Sequence, residues 1–304
     1  MKRFSLILVI CFIFSGYSWA QESCIGNSCM PKKVQNDCTT MQGNGCIDWT
    51  NGVVYATGMG VPNPKFKTQA QRTYSAYEAA KTVAMRNLLQ MVEGINITSE
   101  KTVKAGMLEN DVIQTQVSGR LRHVQEIGKA KTMNDGSMWV TMRLFLRDIY
   151  SILVNNEQFE VQGADQKRPS TTNQAIAKTD TKPKSEYGGS VDVIYSGLII
   201  DARGAGITPA MAPKVFDSRG EEIYGSAAID RDFVLKHGIV GYVKDKDSAK
   251  QNERVKGNPL IIKGKLSGNG SSDVVVSDED AELLKKLDAS QTFLREARVM
   301  IIIG

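Results

Sequence analysis

Asp201 and Arg203 stand two residues apart in YSGLIIDARGAGITPA, residues 195–210, just after an apolar run and just before Gly204 and Gly206. A carboxylate and a guanidinium at that spacing share one face of a strand. They can pair with each other, or hold the backbone or carboxylate of a partner. A phosphate cradle is the third reading, and the spacing rejects it. A dinucleotide loop needs a further glycine and a helix whose amides meet the pyrophosphate. Here Ile207, Thr208 and Pro209 follow the glycines. The Gly-Lys-Ser/Thr of a Walker loop is also missing. The expectation is a strand end that turns, with Asp201 and Arg203 as the candidate partner or ligand contact.

Cysteine supplies the other concentrated chemistry. Cys24, Cys29, Cys38 and Cys46 fall in one polar stretch, CIGNSCMPKKVQNDCTTMQGNGC. Such a stretch buries too little apolar surface to hold itself, which favours disulfides. Three connectivities are open to four cysteines, and the spacing does not choose among them. A four-thiolate zinc site ranks second, because its usual close Cys pairs are absent. A redox motif ranks lower, for want of Cys-x-x-Cys.

Nucleophilic and acid–base sets do not assemble. His123 and His237 fall in different halves of the chain and read as structural or surface residues. His237 precedes Gly238, where its charge would suit a helix end. Neither Gly-x-Ser-x-Gly nor His-Glu-x-x-His occurs. No pair of carboxylates is singled out, and DEDAELLKK lacks the alternating ligands and glycine of a calcium loop. No catalytic residue, cofactor or metal is assigned. The expectation is a protein that is not an enzyme. Tyr74 and Tyr77, with Trp139, read as core residues rather than an exposed patch.

These residues need a compartment and a scaffold. Lys2 and Arg3 precede the apolar run at 4–14, and Ser18 and Ala20 suit a signal peptidase. The run is too short to span a bilayer. Residues 1–20 therefore read as a cleaved export signal, and no later segment is apolar enough to cross a membrane. Lipidation at Cys24 is disfavoured by Gln21 and Glu22 before it. A formal charge of +5 is too mild to argue for nucleic acid. The chain divides into the signal at 1–20, a cysteine-rich segment at 21–48, a first domain at 49–160, a linker at 161–187 and a second domain at 188–304. The linker reads as flexible, because it is polar and lacks the apolar groups to repay ordering.

In the first domain, 53–57 alternates as a strand, ended by Gly58 and Gly60. Thr68 and Gln71 have capping-box spacing for a long helix. Ala70, Tyr74, Tyr77, Ala84, Leu88, Met91 and Val92 form its apolar stripe, interrupted by Lys81, and Gly94 is its stop. A strand is expected from Ile95, a helix over 111–118, a hairpin at Asn134–Asp135–Gly136, and a strand with Met138, Val140, Met142, Leu144 and Leu146 on one face. His123 is expected at a strand start. In the second domain, strands are expected over 191–200, 239–243, 259–266, 272–277 and 297–303, with a hairpin joining 215–216 to 223–224. Helices are expected at 230–237, stopped by Gly238, and at 278–289, capped by Ser277. The fold class is α+β. Each domain is expected to be a mostly antiparallel sheet with packed helices.

The strand with Gly-x-Gly, the Ala-rich helix AQRTYSAYEAAKTVAMRNLLQMVEGI, and then INI and a strand–hairpin pair are together similar to the small outer-membrane lipoprotein family that includes the flagellar protein FlgP. The resemblance spans about residues 51–154. Its members are anchored lipoproteins that assemble at the cell envelope, some as flagellar disks or rings. It implies no catalytic residues. The lipidation Cys of that family has no counterpart here, and the cysteine block and second domain are additions. The combined expectation is an exported periplasmic or outer-membrane-associated structural protein. It would act through contacts with envelope proteins or copies of itself, and would meet a membrane only indirectly. The alternative is a periplasmic small-ligand or polysaccharide-binding module with Asp201 and Arg203 near its site.

Overall fold

The computed structural model describes residues 29–162, 187–268 and 271–304. The export signal, Cys24 and most of the expected linker, 163–186, lie outside the described residues. The first domain runs α1 (Lys32–Asp37), β1 (Thr40–Gln42), β2 (Gly45–Asp48), β3 (Val53–Gly60), α2 (Gln69–Glu93), α3 (Val103–Glu109), α4 (Asp111–Leu121), β4 (Gln125–Glu126), β5 (Lys131–Thr132), β6 (Met138–Phe145) and α5 (Leu146–Asn155). Its antiparallel sheet has the order β1-β2-β3-β6-β4, with β5 also paired to β6.

Helix α2 begins as its capping box predicts, with Thr68 accepting from the Gln71 amide and Gln71 reaching back to the Thr68 amide. Gly94 caps its end. Its buried stripe differs from the expected one in the first half: it consists of Ala76, Ala80 and Ala84, then Leu88, Met91 and Val92. Tyr74 is 64 % exposed, so it is not a core residue. The reason lies in β3. Gly58 and Gly60 do not end that strand; they sit inside it and let the helix backbone approach directly. A Cβ at Gly58 would meet the Ala84 amide nitrogen at 2.1 Å, and one at Gly60 the Ala76 carbonyl oxygen at 2.0 Å. Only alanine fits on a helix face that close, so the aromatic rings are displaced around the barrel of the helix. Tyr77 is half-buried, and its hydroxyl donates to Glu126 Oε2 at 2.6 Å.

The opposite face of the sheet is covered by the cysteine segment. Met30, Val34, Cys38 and Cys46 pack on Val53 and Tyr55, and Trp139 packs on Cys29. Cys38 and Cys46 are joined by a disulfide across a sequence separation of 8. Cys29 is disulfide-bonded as well. Closing a loop of that length lowers the entropy of the unfolded chain and stabilises by about 2–3 kcal/mol. The Cys38→Ser/Cys46→Ser variant is expected to lose about that much in denaturant melts. A variant as stable as the parent would show that the sheet face is held by packing alone.

Two other expectations are corrected. The segment from Ile95 forms no strand: Asn96 makes only isolated bridges, to Thr102 and Ala210, before α3 begins. The apolar pattern at 138–146 also breaks sooner than expected, since β6 ends at Phe145 and Leu146 opens α5. That helix was not anticipated, because DIYSILV is rich in strand formers; its buried face of Ile149, Tyr150, Ile152 and Leu153 overrides the propensity.

The second domain runs β7 (Leu198–Asp201), β8 (Val215–Phe216), β9 (Glu222–Tyr224), α6 (Arg231–His237), β10 (Gly241–Val243), α7 (Lys246–Gln251), β11 (Leu260–Lys263), β12 (Lys265–Leu266), β13 (Val274–Val275), α8 (Asp278–Ser290) and β14 (Val299–Ile302). The domain is α+β, but its main sheet is parallel, not antiparallel: in the order β10-β14-β7-β11, every pair runs the same way. The composition explains it. LIID and VMII are buried at every position, as strands covered on both faces must be. A smaller sheet has the order β12-β13-β8-β9 and includes the expected 215–224 hairpin. The strand expected from Val191 starts only at Leu198, leaving Val191 and Ile194 exposed. Ser277 caps α8 and Gly238, at φ 75°, ends α6, both as expected.

The two domains dock through one continuous apolar core. The Met211 and Ala212 amides donate to the Asn96 and Ile97 carbonyl oxygens at 2.8 and 2.7 Å. Trp49 meets Tyr242 edge to face at 5.4 Å. The buried Tyr150 hydroxyl donates to the Met211 carbonyl oxygen at 2.6 Å.

Candidate functional site

Asp201 is the last residue of β7, in register with Lys263 on β11 and Ile302 on β14. It therefore lies at the carboxyl edge of the parallel sheet, where open sheets of this kind often bind ligands. The expected pair forms. Arg203 donates from Nε to Oδ1 at 2.9 Å and from Nη2 to Oδ2 at 2.8 Å. The Tyr187 hydroxyl donates to Oδ2 at 2.7 Å, and Lys263 Nζ lies 3.4 Å from it. The Lys246 and Lys263 ammonium groups stand 4.2 and 4.3 Å from the centre of the Tyr187 ring.

The carboxylate is 1 % exposed and the Arg203 side chain 44 %. The bidentate Arg203 guanidinium, helped by Tyr187 and Lys263 and opposed by burial, holds the Asp201 carboxyl far below the usual carboxylate range. A carboxylate so engaged is neither a base nor a nucleophile. It fixes Tyr187, and leaves the outer faces of Arg203 and Lys263 exposed. The same Asp-x-Arg device closes the β8–β9 hairpin, where Arg219 Nη2 donates to the buried Asp217 Oδ2 at 2.9 Å.

The histidines do not converge. His123 follows α4 rather than starting a strand, with Nδ1 3.0 Å from the Gly119 carbonyl oxygen. His237 does end α6, but it is not a helix-end cation: burial, then the charges of Arg254, Lys236 and Arg298, push its imidazole toward the neutral form. Among the described residues, no group of three His, Cys, Asp or Glu side chains could hold a metal ion.

What the sequence reading missed lies between the domains. A cleft of about 430 Å³ is walled on one side by Trp49, Leu146 and Arg147, and on the other by Phe233, Lys236 and Arg254. Its residues come from distant segments of both domains, and no local spacing marks them. Only the docking of α5 against α6 brings them together.

Residues 197–304 match the family model described as Treponema pallidum Tp0624, second domain. The match opens one residue before β7 and takes in every element of the second domain. No curated protein matches the chain.

Proposed function

We propose that this is an exported, non-enzymatic protein of the cell envelope that works by contact with other envelope proteins and with copies of itself. The observation that carries the reading is the apolar surface where β3 hands over to α2. Val61, Phe66 and Tyr74 are exposed there, and the Asn63 amide donating to Ser75 Oγ at 3.0 Å folds that connection back along the first turns of the helix. Large apolar side chains exposed along one connection and the first turns of the helix it enters give a partner apolar area to bury. The leader-like first 20 residues and the FlgP-like strand–helix pattern support export and envelope assembly, with a flagellar structure as the implied setting. Arg203 and Lys263 provide a second, cationic contact on the other domain. In the ligand-binding alternative, Arg203 and Lys263 would carry the contact, since the oxygens of Asp201 are already engaged.

The test is a photo-crosslinking residue placed at Tyr74 in living cells. Adducts with the same chain or with envelope proteins are expected, and Val61→Asp should abolish them. A chain that stays monomeric after purification and yields no adduct would overturn the reading.

A further inference from the structure

The cleft between the domains has the construction of a binding site. Its volume of about 430 Å³ falls in the range of roughly 300–1,000 Å³ typical of small-molecule sites, which favour domain interfaces. Trp49, Leu146, Phe233 and Val240 give it an apolar wall.

Its charge is unbalanced. Arg147, Lys236, Arg254 and Arg298 line it against Glu253 and Glu296. Both carboxylates are already paired, Glu296 with Arg298 of the same cleft and Glu253 with Lys256, which leaves Arg147, Lys236 and Arg254. Glu296 accepts from Arg298 Nε at 2.7 Å and from the Thr292 hydroxyl, and Glu253 from Lys256 at 2.7 Å. Among the described residues, no carboxylate lies within ion-pair distance of Arg147, Lys236 or Arg254.

Arg254 is the centre of this imbalance. Its Nη1 donates to the Ala297 carbonyl oxygen at 2.7 Å and the Gly238 carbonyl oxygen at 3.3 Å, and its Nη2 donates to the His237 carbonyl oxygen. A guanidinium carries five N–H donors, so some remain unspent. A partly buried cation whose partners are all neutral carbonyls lacks a counter-charge, and that is costly unless an anion arrives. The backbone it grips is itself unusual. Ala297 has φ 53°, rare for a residue with a side chain, and Gly238 has φ 75°. A non-glycine residue held at such a φ, as Ala297 is, costs energy and is a feature that clusters at ligand clamps and switch regions.

We propose that the inter-domain cleft binds one small amphiphilic organic anion per chain, an alkyl or aryl carboxylate or phosphate. Its charged end sits against Arg254, Lys236 and Arg147, and its hydrocarbon lies along Trp49, Leu146 and Phe233. The cations supply the charge complement and the apolar wall the rest, so neither half of the ligand suffices alone. This site does not depend on the contact surface at Tyr74.

Tryptophan fluorescence supplies the readout, since Trp49 lines the cleft. The purified exported chain is titrated with monomeric decyl phosphate, and in parallel with inorganic phosphate, decanol and decanoate. Decyl phosphate is expected to bind saturably at one site. Phosphate and decanol should each bind at least about tenfold more weakly, a loss of at least 1.4 kcal/mol. Decanoate binding as well as the phosphate ester would assign the site to oxyanions in general, and weaker decanoate binding would assign it to phosphates. Lys236 and Arg147 are exposed, so the Lys236→Gln/Arg147→Gln variant is expected to fold, as circular dichroism will check, and to bind decyl phosphate about tenfold more weakly. Absence of saturable binding, equal binding of decanol, or a double variant that binds as tightly as the parent would each overturn the proposal.

Discussion

Gly58→Ala and Gly60→Ala are each expected to lower stability by about 3 kcal/mol or more, the upper end of what overpacking does in a core. The added Cβ at Gly58 would lie 2.1 Å from the Ala84 nitrogen and 2.3 Å from the Ala80 oxygen. At Gly60 it would lie 2.0 Å from the Ala76 oxygen and 2.4 Å from the Ala80 nitrogen. All four are backbone atoms of a capped helix, so no side-chain rotation relieves the contact. The helix as a whole must rise off β3, and in rising it uncovers Leu88, Met91 and Val92. A melting temperature lower by roughly 6–12 °C follows for a chain of this size. Gly119→Ala in α4 is the matched control. Nothing lies within 4 Å of its added Cβ, and replacing a helical glycine should raise stability by about 0.5–1 kcal/mol. Thermal melts by circular dichroism separate the cases. If Gly58→Ala melts like the parent, the direct contact of helix and strand is wrong.

Those glycines also show what could be read from the residues alone. Their presence beside an alanine-rich helix was visible, but glycine reads as a strand terminator when its neighbours in space are unknown. The regular alanine spacing on α2 makes sense only once the glycines are placed opposite. Local signals were read correctly where the physics is local: the Thr68 box, the Ser277 cap and the Gly238 stop depend on atoms a few residues apart. Direction of pairing was not legible. LIID and VMII announce burial on both faces, which is the mark of a parallel strand, but β7 finds its partners at Met300 and Ile261, some 100 and 60 residues on. The helix α5 was hidden for a related reason. Its residues favour strands, and only packing against α4 and α6 gives its apolar stripe a use.

The candidate site divides along the same line. Asp201 and Arg203 are two residues apart and could be paired on paper; Tyr187 and Lys263, which complete the shell, could not. The cleft is the extreme case. Arg147 and Arg254 are unremarkable in sequence, each on an exposed or half-exposed turn of its own domain. Their charges acquire a common purpose only because Gly238 lets α6 close on Tyr150, where an added Cβ would stand 2.9 Å from the ring. Docking of the two domains therefore does more than bury apolar surface. It creates an electrostatic environment that neither domain has alone, while Tyr74 on α2 stays exposed.

Asp201→Asn is the second large effect, an expected loss of about 2–3 kcal/mol at neutral pH. Replacing the buried carboxylate removes the counter-charge and one of the two acceptor oxygens shared by Arg203, Lys263 and Tyr187, and sets an amide donor against those donors, and breaking such a pair from one side is costly. The dependence on pH distinguishes charge from packing. In the folded protein the carboxyl titrates well below its unfolded value of about 3.9. Its contribution is therefore complete above about pH 5 and drains away as pH falls through the interval between the unfolded and folded values. The gap between the parent and Asp201→Asn should be widest near neutrality, begin to narrow below about pH 4, and close only as pH approaches the strongly depressed folded value, because Asn does not titrate there. Arg203→Gln should cost less, since that side chain is 44 % exposed and water replaces part of what it gives. The combined variant should lose less than the sum of the two, since the pair is shared. Urea melts of the four proteins at neutral and acidic pH decide the matter: a gap that stays constant with pH would assign Asp201 to shape-filling, and the charge network at the sheet edge would then have no energetic role.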